Sequence, residues 1–437
     1  MAKLNLKKIL LIVGWTLTLG SVFILCRQGI TRSFFHQDDV VELGVVAVGK
    51  WPETLFNLNN EHLNITFWPI LYLQWLVFGI FYTPYLFVNI LMHVIVLTLI
   101  FVITWRLTKS FLWSSLPVWG MVINPNWFTV IWWITGQMFF LTTIFALLCL
   151  LVILNIKKQP EIKMNYFWLY LFSVLPGMSW GVGLSWPIWP LLIYGIDFSK
   201  RKLNNIGLIL LMAQITLTVV YSLLIGTNIA VHTDPKTWLT NPFEILRFVF
   251  YGVTKAVFGR WFWPIKDIQI RFLTPFILSS LYLYFGRYRK YVDRNSLFGI
   301  IVLFGSYMTF AIPRWKFGID HAMANYYVYF PLPFVMISLV VLFSKIKMHK
   351  YTSAIVLAFF LIHIPMSWIG YEEWARDWVI RPQQTKLYFE ELNRVERGNC
   401  IENRIIPEYI VPQNIWRIDY MWPIFKKDFD PFCPSQK

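Results

Sequence analysis

Two adjacent carboxylates, Asp38 and Asp39, follow the first apolar run of the chain in Phe34-Phe35-His36-Gln37-Asp38-Asp39. An acidic pair beside a bilayer is costly unless it is solvated, paired or used. A carboxylate partly shielded from water holds a raised pKa and can act as general base toward a hydroxyl or amine. The competing role is helix capping, because Asp favours an N-cap and the apolar stretch Val40 to Val48 begins next. The position just after a membrane anchor favours the chemical role. His36, Asp38, Asp39, Glu61 and His62 also have the donor types of a mixed-ligand divalent metal site. Their spacing matches no metal signature, so a polar network is expected, with no cofactor required and a divalent ion as the alternative.

Cations that would complement such a base are few. Arg314 and Lys316 lie in Pro313-Arg314-Trp315-Lys316-Phe317-Gly318, next to an apolar run. A guanidinium and an ammonium there would clamp a phosphate at headgroup depth. Snorkelling beside interfacial aromatics is the rival account. Arg260, in Gly259-Arg260-Trp261, has the same two accounts. His93 and His363 fall within apolar runs and read as helix-contact residues. Asn64-Ile65-Thr66 has the form of a glycosylation sequon.

The elements that must position these groups are membrane helices. Of 437 residues, 57% are hydrophobic, 19% aromatic and only 14% charged, well below the charged share of a soluble domain. Apolar runs such as Ile9 to Cys26, Thr83 to Trp105, Ile134 to Ile156, Asn205 to Gly226 and Tyr351 to Trp368 recur. Each is long enough to cross a bilayer as a helix. Nearly all of the net +16 sits in every second gap between these runs. That is a positive-inside pattern and argues against nucleic acid as the partner. The amino terminus is then cytoplasmic, and the first run is a retained anchor, since Cys26-Arg27-Gln28 makes a poor cleavage site.

The fold class expected is an all-α polytopic membrane protein with about eleven spans. Residues 1–369 form the bundle, with 27–82 as its first outer loop. Within that loop Val40 to Val48 is expected to lie along the interface as a short helix, and Ile65 to Phe81 to pack on the bundle without crossing. Spans follow near Thr83–Trp105, Phe111–Ile123 and Ile134–Ile156. The stretch Asn165 to Ile196 has basic flanks and is broken by Pro176, Gly177, Gly181, Gly183, Pro187 and Pro190. Two short helices that enter and return on one side fit it. Further spans are expected near Asn205–Gly226, Arg271–Phe285, Ser296–Ile312, Tyr326–Phe343 and Tyr351–Ile369, with an amphipathic stretch from Pro242 to Arg260. Residues 370–437 form a small extracytoplasmic tail, where an oxidising compartment would permit Cys400 and Cys433 to pair. Acids and histidines, Glu42 among them, collect in the less basic gaps, and none falls mid-span except His93 and His363. A pump or ion carrier usually needs charge at depth, so a transporter is disfavoured.

The order of parts resembles a known family. A span is followed by a loop with the acidic pair, then Asn60-Glu61-His62-Leu63, then Tyr85-Leu86-Phe87-Val88-Asn89-Ile90-Leu91-Met92-His93. This resembles the C-type fold of integral membrane glycosyltransferases, close to bacterial relatives of the protein O-mannosyltransferases. The likeness is best over 30–110, with an echo at Arg314, Gly318, Ala324 and Tyr327, where this chain reads Asn325-Tyr326-Tyr327 in place of a Ser-Arg-Tyr-like step. The resemblance implies a polyprenyl-phosphate sugar donor, an extracytoplasmic acceptor (glycan, lipid or protein) and a location in the bacterial plasma membrane with the active face outside. It implies a first-loop acid, Asp38 or Asp39, at the reaction centre. The residues expected to bind substrate are His36, Glu61, His62, Arg260, Arg314, Lys316 and Tyr327. A lipid or sugar-lipid flippase, or a non-catalytic membrane subunit, is the alternative.

Overall fold

The computed structural model describes residues 15–16, 20–24, 26–27, 30, 33–35, 38–47, 49–58, 62–124, 127–197, 202–224, 241–258, 289–322, 324–345, 383 and 386–387. The expected span at Arg271–Phe285, that at Tyr351–Ile369, the tail cysteines Cys400 and Cys433, and His36, Glu61, Arg260 and His363 lie outside these residues.

The described chain is almost wholly helical. In order it forms α1 (Asp38–Ala47), α2 (Trp51–Thr54), α3 (Phe67–Phe78), α4 (Tyr82–Thr108), α5 (Phe111–Ile123), α6 (Trp127–Trp132), α7 (Gln137–Lys158) and α8 (Lys163–Val174). A broken segment follows, with a 3-10 turn Gly181–Ser185, the short α9 (Ile188–Pro190) and a π turn Leu191–Gly195. The strands β1 (Ile196–Asp197) and β2 (Lys202–Leu203) pair antiparallel, Ile196 opposite Leu203. Then come α10 (Asn205–Leu224), α11 (Pro242–Phe258), α12 (Arg294–Arg314), α13 (Gly318–Ala322), α14 (Asn325–Tyr329) and α15 (Leu332–Lys345).

Four described helices are long and apolar enough to cross a membrane: Tyr82–Thr108, Gln137–Lys158, Asn205–Leu224 and the run Arg294–Phe317. Phe67–Phe78, Phe111–Val122 and Leu332–Lys345 are shorter apolar helices. The described chain is thus mostly helical, with four helices long and apolar enough to cross a membrane, which is compatible with an all-α membrane protein. α4 packs on α5 and α7, α7 on α8, and α8 on α10, while α12 packs on α15 and α11. The apolar face of α10 that bears Met212, Ile215, Val219 and Leu223 remains exposed, as a lipid-facing helix requires.

Charge segregates along these helices. α4 begins near the acidic pair and ends at Arg106 and Lys109; α7 begins beside Thr135 and ends at Lys157 and Lys158. α12 runs the other way. It starts at a capping box, with the Asp293 carboxylate accepting from Ser296 N at 3.0 Å and Ser296 Oγ accepting from Asp293 N at 2.9 Å. This box satisfies two amides that a helix start leaves orphaned. Lys345, at the end of α15, meets Asp293 at 2.5 Å. Among the described residues, one end of the bundle therefore carries Arg106, Lys109, Lys157, Lys158, Arg294 and Lys345, with Asp293 among them, and the other carries Asp38, Asp39, Glu42, His62 and His321.

Two local expectations are refined. The helix near Val40 starts at Asp38, so both aspartates lie in its first turn, where the helix dipole favours negative charge. Its Val40, Leu43 and Val46 are buried in the core against α3. Each such side chain stabilises the packing by about 1.5–3 kcal/mol. The expected single span Tyr326–Phe343 is two helices, α14 and α15, parted at Phe330-Pro331, because a proline disfavours helical backbone in the residue before it. α11, over Pro242–Phe258, forms the amphipathic stretch expected there, whose last two positions lie outside the described residues.

The interruption after α8 appears where the prolines and glycines predict it. Gly183 passes so close to Pro176 that an added Cβ would lie 2.0 Å from the Pro176 carbonyl oxygen. Gly183→Val should therefore cost about 1–3 kcal/mol or more, read as a lower unfolding temperature of the purified protein in detergent.

Candidate active site

The freed backbone of the broken segment is where the first loop docks. Thr66 N donates to Met178 O at 3.1 Å, and the Thr66 and Ser179 hydroxyls meet at 2.6 Å. Gly181 N donates to His62 Nδ1 at 3.2 Å. These contacts hold His62 over Trp180, its ring centroid 6.0 Å away. Asn64, between them, is 1% exposed, so its sequon is closed to glycosylation in the folded chain.

Arg314 arrives from the other side. It ends α12, after which a 3-10 turn and Gly318, at φ +83°, reverse the chain. A positive φ there suits glycine. The reversal brings back His321 and Tyr327. Arg314 Nη1 donates to Tyr327 Oη at 2.6 Å, and Tyr327 Oη lies 2.7 Å from His321 Nε2. Tyr327 is fully buried, wedged against Phe310 at 4.3 Å between ring centroids. The guanidinium is thus fixed by a rigid strut, and Arg314 Nη2 reaches His62 Nε2 at 3.0 Å.

That last contact has a consequence for charge. An imidazole that accepts at Nδ1 carries its proton on Nε2 when neutral. The Gly181 amide therefore leaves His62 Nε2–H facing an Arg314 N–H, two donors aimed at one point. An acceptor that takes both N–H groups from the side would relieve the conflict.

Arg314, His62 and Tyr327 close one end of a cavity of about 310 Å³ between α10, the broken segment and α12. Its walls are apolar at Val182, Ile188, Leu217 and Ile312, and polar at Ser185, Gln214, Thr218 and Thr309. Lys316 does not line it. That side chain is exposed with its ammonium over the Trp315 ring at 5.9 Å, which favours the snorkelling account over phosphate contact.

The structure separates the two aspartates. Asp39 is wholly buried, its Oδ1 accepting from Thr135 N at 2.9 Å and from Thr135 Oγ1 at 3.2 Å. The turn that carries Thr135 is itself clamped from α4. Tyr82 Oη donates to Trp132 O at 2.6 Å, and Asn89 Nδ2 to Ile131 O and Trp133 O at 2.7 and 2.9 Å. Behind it, Gln74 and Gln137 exchange side-chain hydrogen bonds of 2.7 and 2.9 Å. Asp39 is an anchor of this network.

Asp38 is half-buried and not engaged in it. Burial pushes its carboxyl up to about 6, against the opposing pull of the Arg314 charge. Asp38 is therefore ionised at neutral pH, yet basic enough to take a proton. Glu42, one turn further along the same face, is pushed well above the usual carboxylate range by burial and by the Asp38 charge.

Of the site residues expected from sequence, Asp38, Arg314, His62 and Tyr327 come together at this end of the bundle, and Asp39 supports them. Thr135, His321 and Glu42 join them without having been singled out for a role. His93 is a buried contact residue, as expected, with Nδ1 2.9 Å from Tyr329 Oη and its ring stacked on Trp127 at 4.6 Å. Comparison with protein-family models, with curated proteins and with solved structures gives no match.

Proposed function

We propose that the chain is a membrane glycosyltransferase. It moves a sugar from a polyprenyl-phosphate donor to an extracytoplasmic glycan, lipid or protein acceptor, with Asp38 as general base. By hydropathy the bundle makes about eleven crossings, with the basic end cytoplasmic and the acidic end outside. The observation that supports this reading is the approach of the Asp38 carboxyl to the Arg314 guanidinium at one end of the bundle. Asp38 lies within the field of Arg314, and Arg314 closes a cavity set behind the lipid-facing α10.

The chemistry follows from those positions. The donor phosphate sits against Arg314 and His62, with its lipid chain among the helices. Asp38 takes the proton from the acceptor O–H or N–H as that atom attacks the anomeric carbon. The carbon–oxygen bond to phosphate breaks, and its electron pair leaves on the phosphate, where the guanidinium balances the new charge. Tyr327 and His321 hold the guanidinium still, so little reorganisation is needed at the moment of transfer. Fixing both reactants at one depth contributes much of the rate.

The test is a transfer assay on membranes that contain the protein and a radiolabelled polyprenyl-phosphate sugar. Label should leave the lipid fraction in the presence of acceptor. A flippase, or a non-catalytic subunit, would leave the sugar–phosphate bond intact. The rate should rise with pH through an acid limb near the Asp38 value of about 6, since the base must lose its proton before it can accept one. Arg314 holds that value down, so Arg314→Gln should move the limb to higher pH.

A further inference from the structure

Glu42 is a buried carboxyl that the transfer chemistry does not use. Its Oε2 lies 2.7 Å from Thr135 Oγ1, and the same hydroxyl lies 3.2 Å from Asp39 Oδ1. Thr135 has one hydroxyl proton for these two carboxyl oxygens. If it points to Asp39, the short contact with Glu42 needs a second proton, because two bare oxygen lone pairs at that distance repel. Asp39 Oδ1 already accepts from Thr135 N at 2.9 Å, as a carboxylate does. With the hydroxyl proton on the Asp39 side the extra proton belongs on Glu42; with it on the Glu42 side the 2.7 Å contact needs none, and the crowding of three carboxyls decides between the two.

We propose that Glu42 is a proton-carrying positioning residue. Its acid O–H donates to Thr135 Oγ1, the Thr135 O–H donates to Asp39 Oδ1, and this fixed chain keeps Asp38 as the one carboxylate of α1 that titrates toward Arg314. No proton leaves the chain; it is shared and returned.

Electrostatics supports the same assignment. Asp38, Asp39 and Glu42 fall within five residues of one buried helix. Among the described residues, Tyr82 at the start of α4 and Arg314 at the end of α12 are titratable groups that couple to them. α3, packed across α1, carries no carboxylate, histidine, lysine or arginine. Three anions crowded within five residues of a low-dielectric site would be strongly unfavourable, and a neutral Glu42 removes one of them. Burial and the two neighbouring aspartates act on Glu42 in that direction.

Infrared spectroscopy of the purified full-length protein, at a pH well above the Asp38 titration, tests this without any transfer assay. The wild type should show a protonated-carboxyl stretch that Glu42→Gln abolishes. Thr135→Val should shift the band and Thr135→Ser should retain it in place. Absence of the band, or its survival unchanged in Glu42→Gln, would overturn the proposal whether or not the protein transfers sugar. The role in positioning rests on the transferase reading and has its own readout. Glu42→Gln replaces one neutral donor by another, so the midpoint of the acid limb should stay where it is. A move of that midpoint to lower pH would mean that Glu42 is an anion and would sink the assignment.

Discussion

Asp38→Asn is expected to slow sugar release from a polyprenyl-phosphate donor by about 10²–10⁴-fold, the usual worth of a positioned general base. The amide has nearly the shape of the acid but cannot take the acceptor proton. Asp38 makes no hydrogen bond to the Thr135 turn, so the variant should fold and insert normally. The residual rate should also lose its acid limb, since the group that titrates there is gone. Asp39→Asn should behave differently. Its Oδ1 can still accept from the Thr135 amide, but the charge that the network is built around is removed. The change should appear first as a lower unfolding temperature, with a smaller effect on rate. Equal loss of rate in both variants, at equal expression, would remove the distinction between base and anchor. Rates and thermal unfolding of the two purified variants decide the point.

Arg314→Ala is expected to reduce turnover by about 10²–10³-fold, comparable to deleting one preorganised donor at a developing negative charge. The effect should fall on kcat more than on KM, because the phosphate gains charge as the sugar leaves. Arg314→Lys should rescue little. One guanidinium reaches Tyr327 at 2.6 Å and His62 at 3.0 Å through different nitrogens, and a single ammonium cannot hold both directions. Tyr327→Phe keeps the ring contacts with Phe310 and Trp180 but frees Arg314, so it should give a partial loss in the same direction. Steady-state kinetics on the three variants would show this ordering. Full activity in Arg314→Ala would place the phosphate elsewhere.

What could be read from sequence and what could not divide along physical lines. The bundle was legible because membrane helices announce themselves through length and apolarity. Tyr82–Thr108 and Gln137–Lys158 fall within a few residues of where hydropathy puts them. The break after α8 was legible from Pro176, Gly177, Gly181 and Gly183, each of which interrupts a helix by a known mechanism. Pro331 marks its break equally plainly, although hydropathy alone reads one long apolar run across it. Charge alternation along the chain foretold the basic and acidic ends.

The site was legible only in part. The acidic pair and Arg314 stand out because charge is rare in such a chain. Nothing local tells Asp38 from Asp39. The residue that separates them, Thr135, is 96 positions away, in a turn set by Tyr82 and Asn89. Arg314 and His62 are 252 positions apart and meet only because the first loop docks on the broken segment. The Arg314, His321 and Tyr327 strut is local, and the Gly318 reversal between its members is the signal that could have revealed it. Lys316 looked equivalent to Arg314 by proximity, but a residue two positions on in a 3-10 turn faces another direction.

The most direct test uses a photoreactive polyprenyl phosphate and the purified full-length protein. Cross-links should map to the segments that line the cavity, Gly181–Ile188, Gln214–Ser222 and Thr309–Arg314. Unlabelled polyprenyl phosphate should compete them away, and Arg314→Ala should weaken them. Labelling confined to the exposed lipid-facing surface of α10, without competition, would contradict the account. The cavity would then not be a donor seat, and Asp38 would face no reacting sugar.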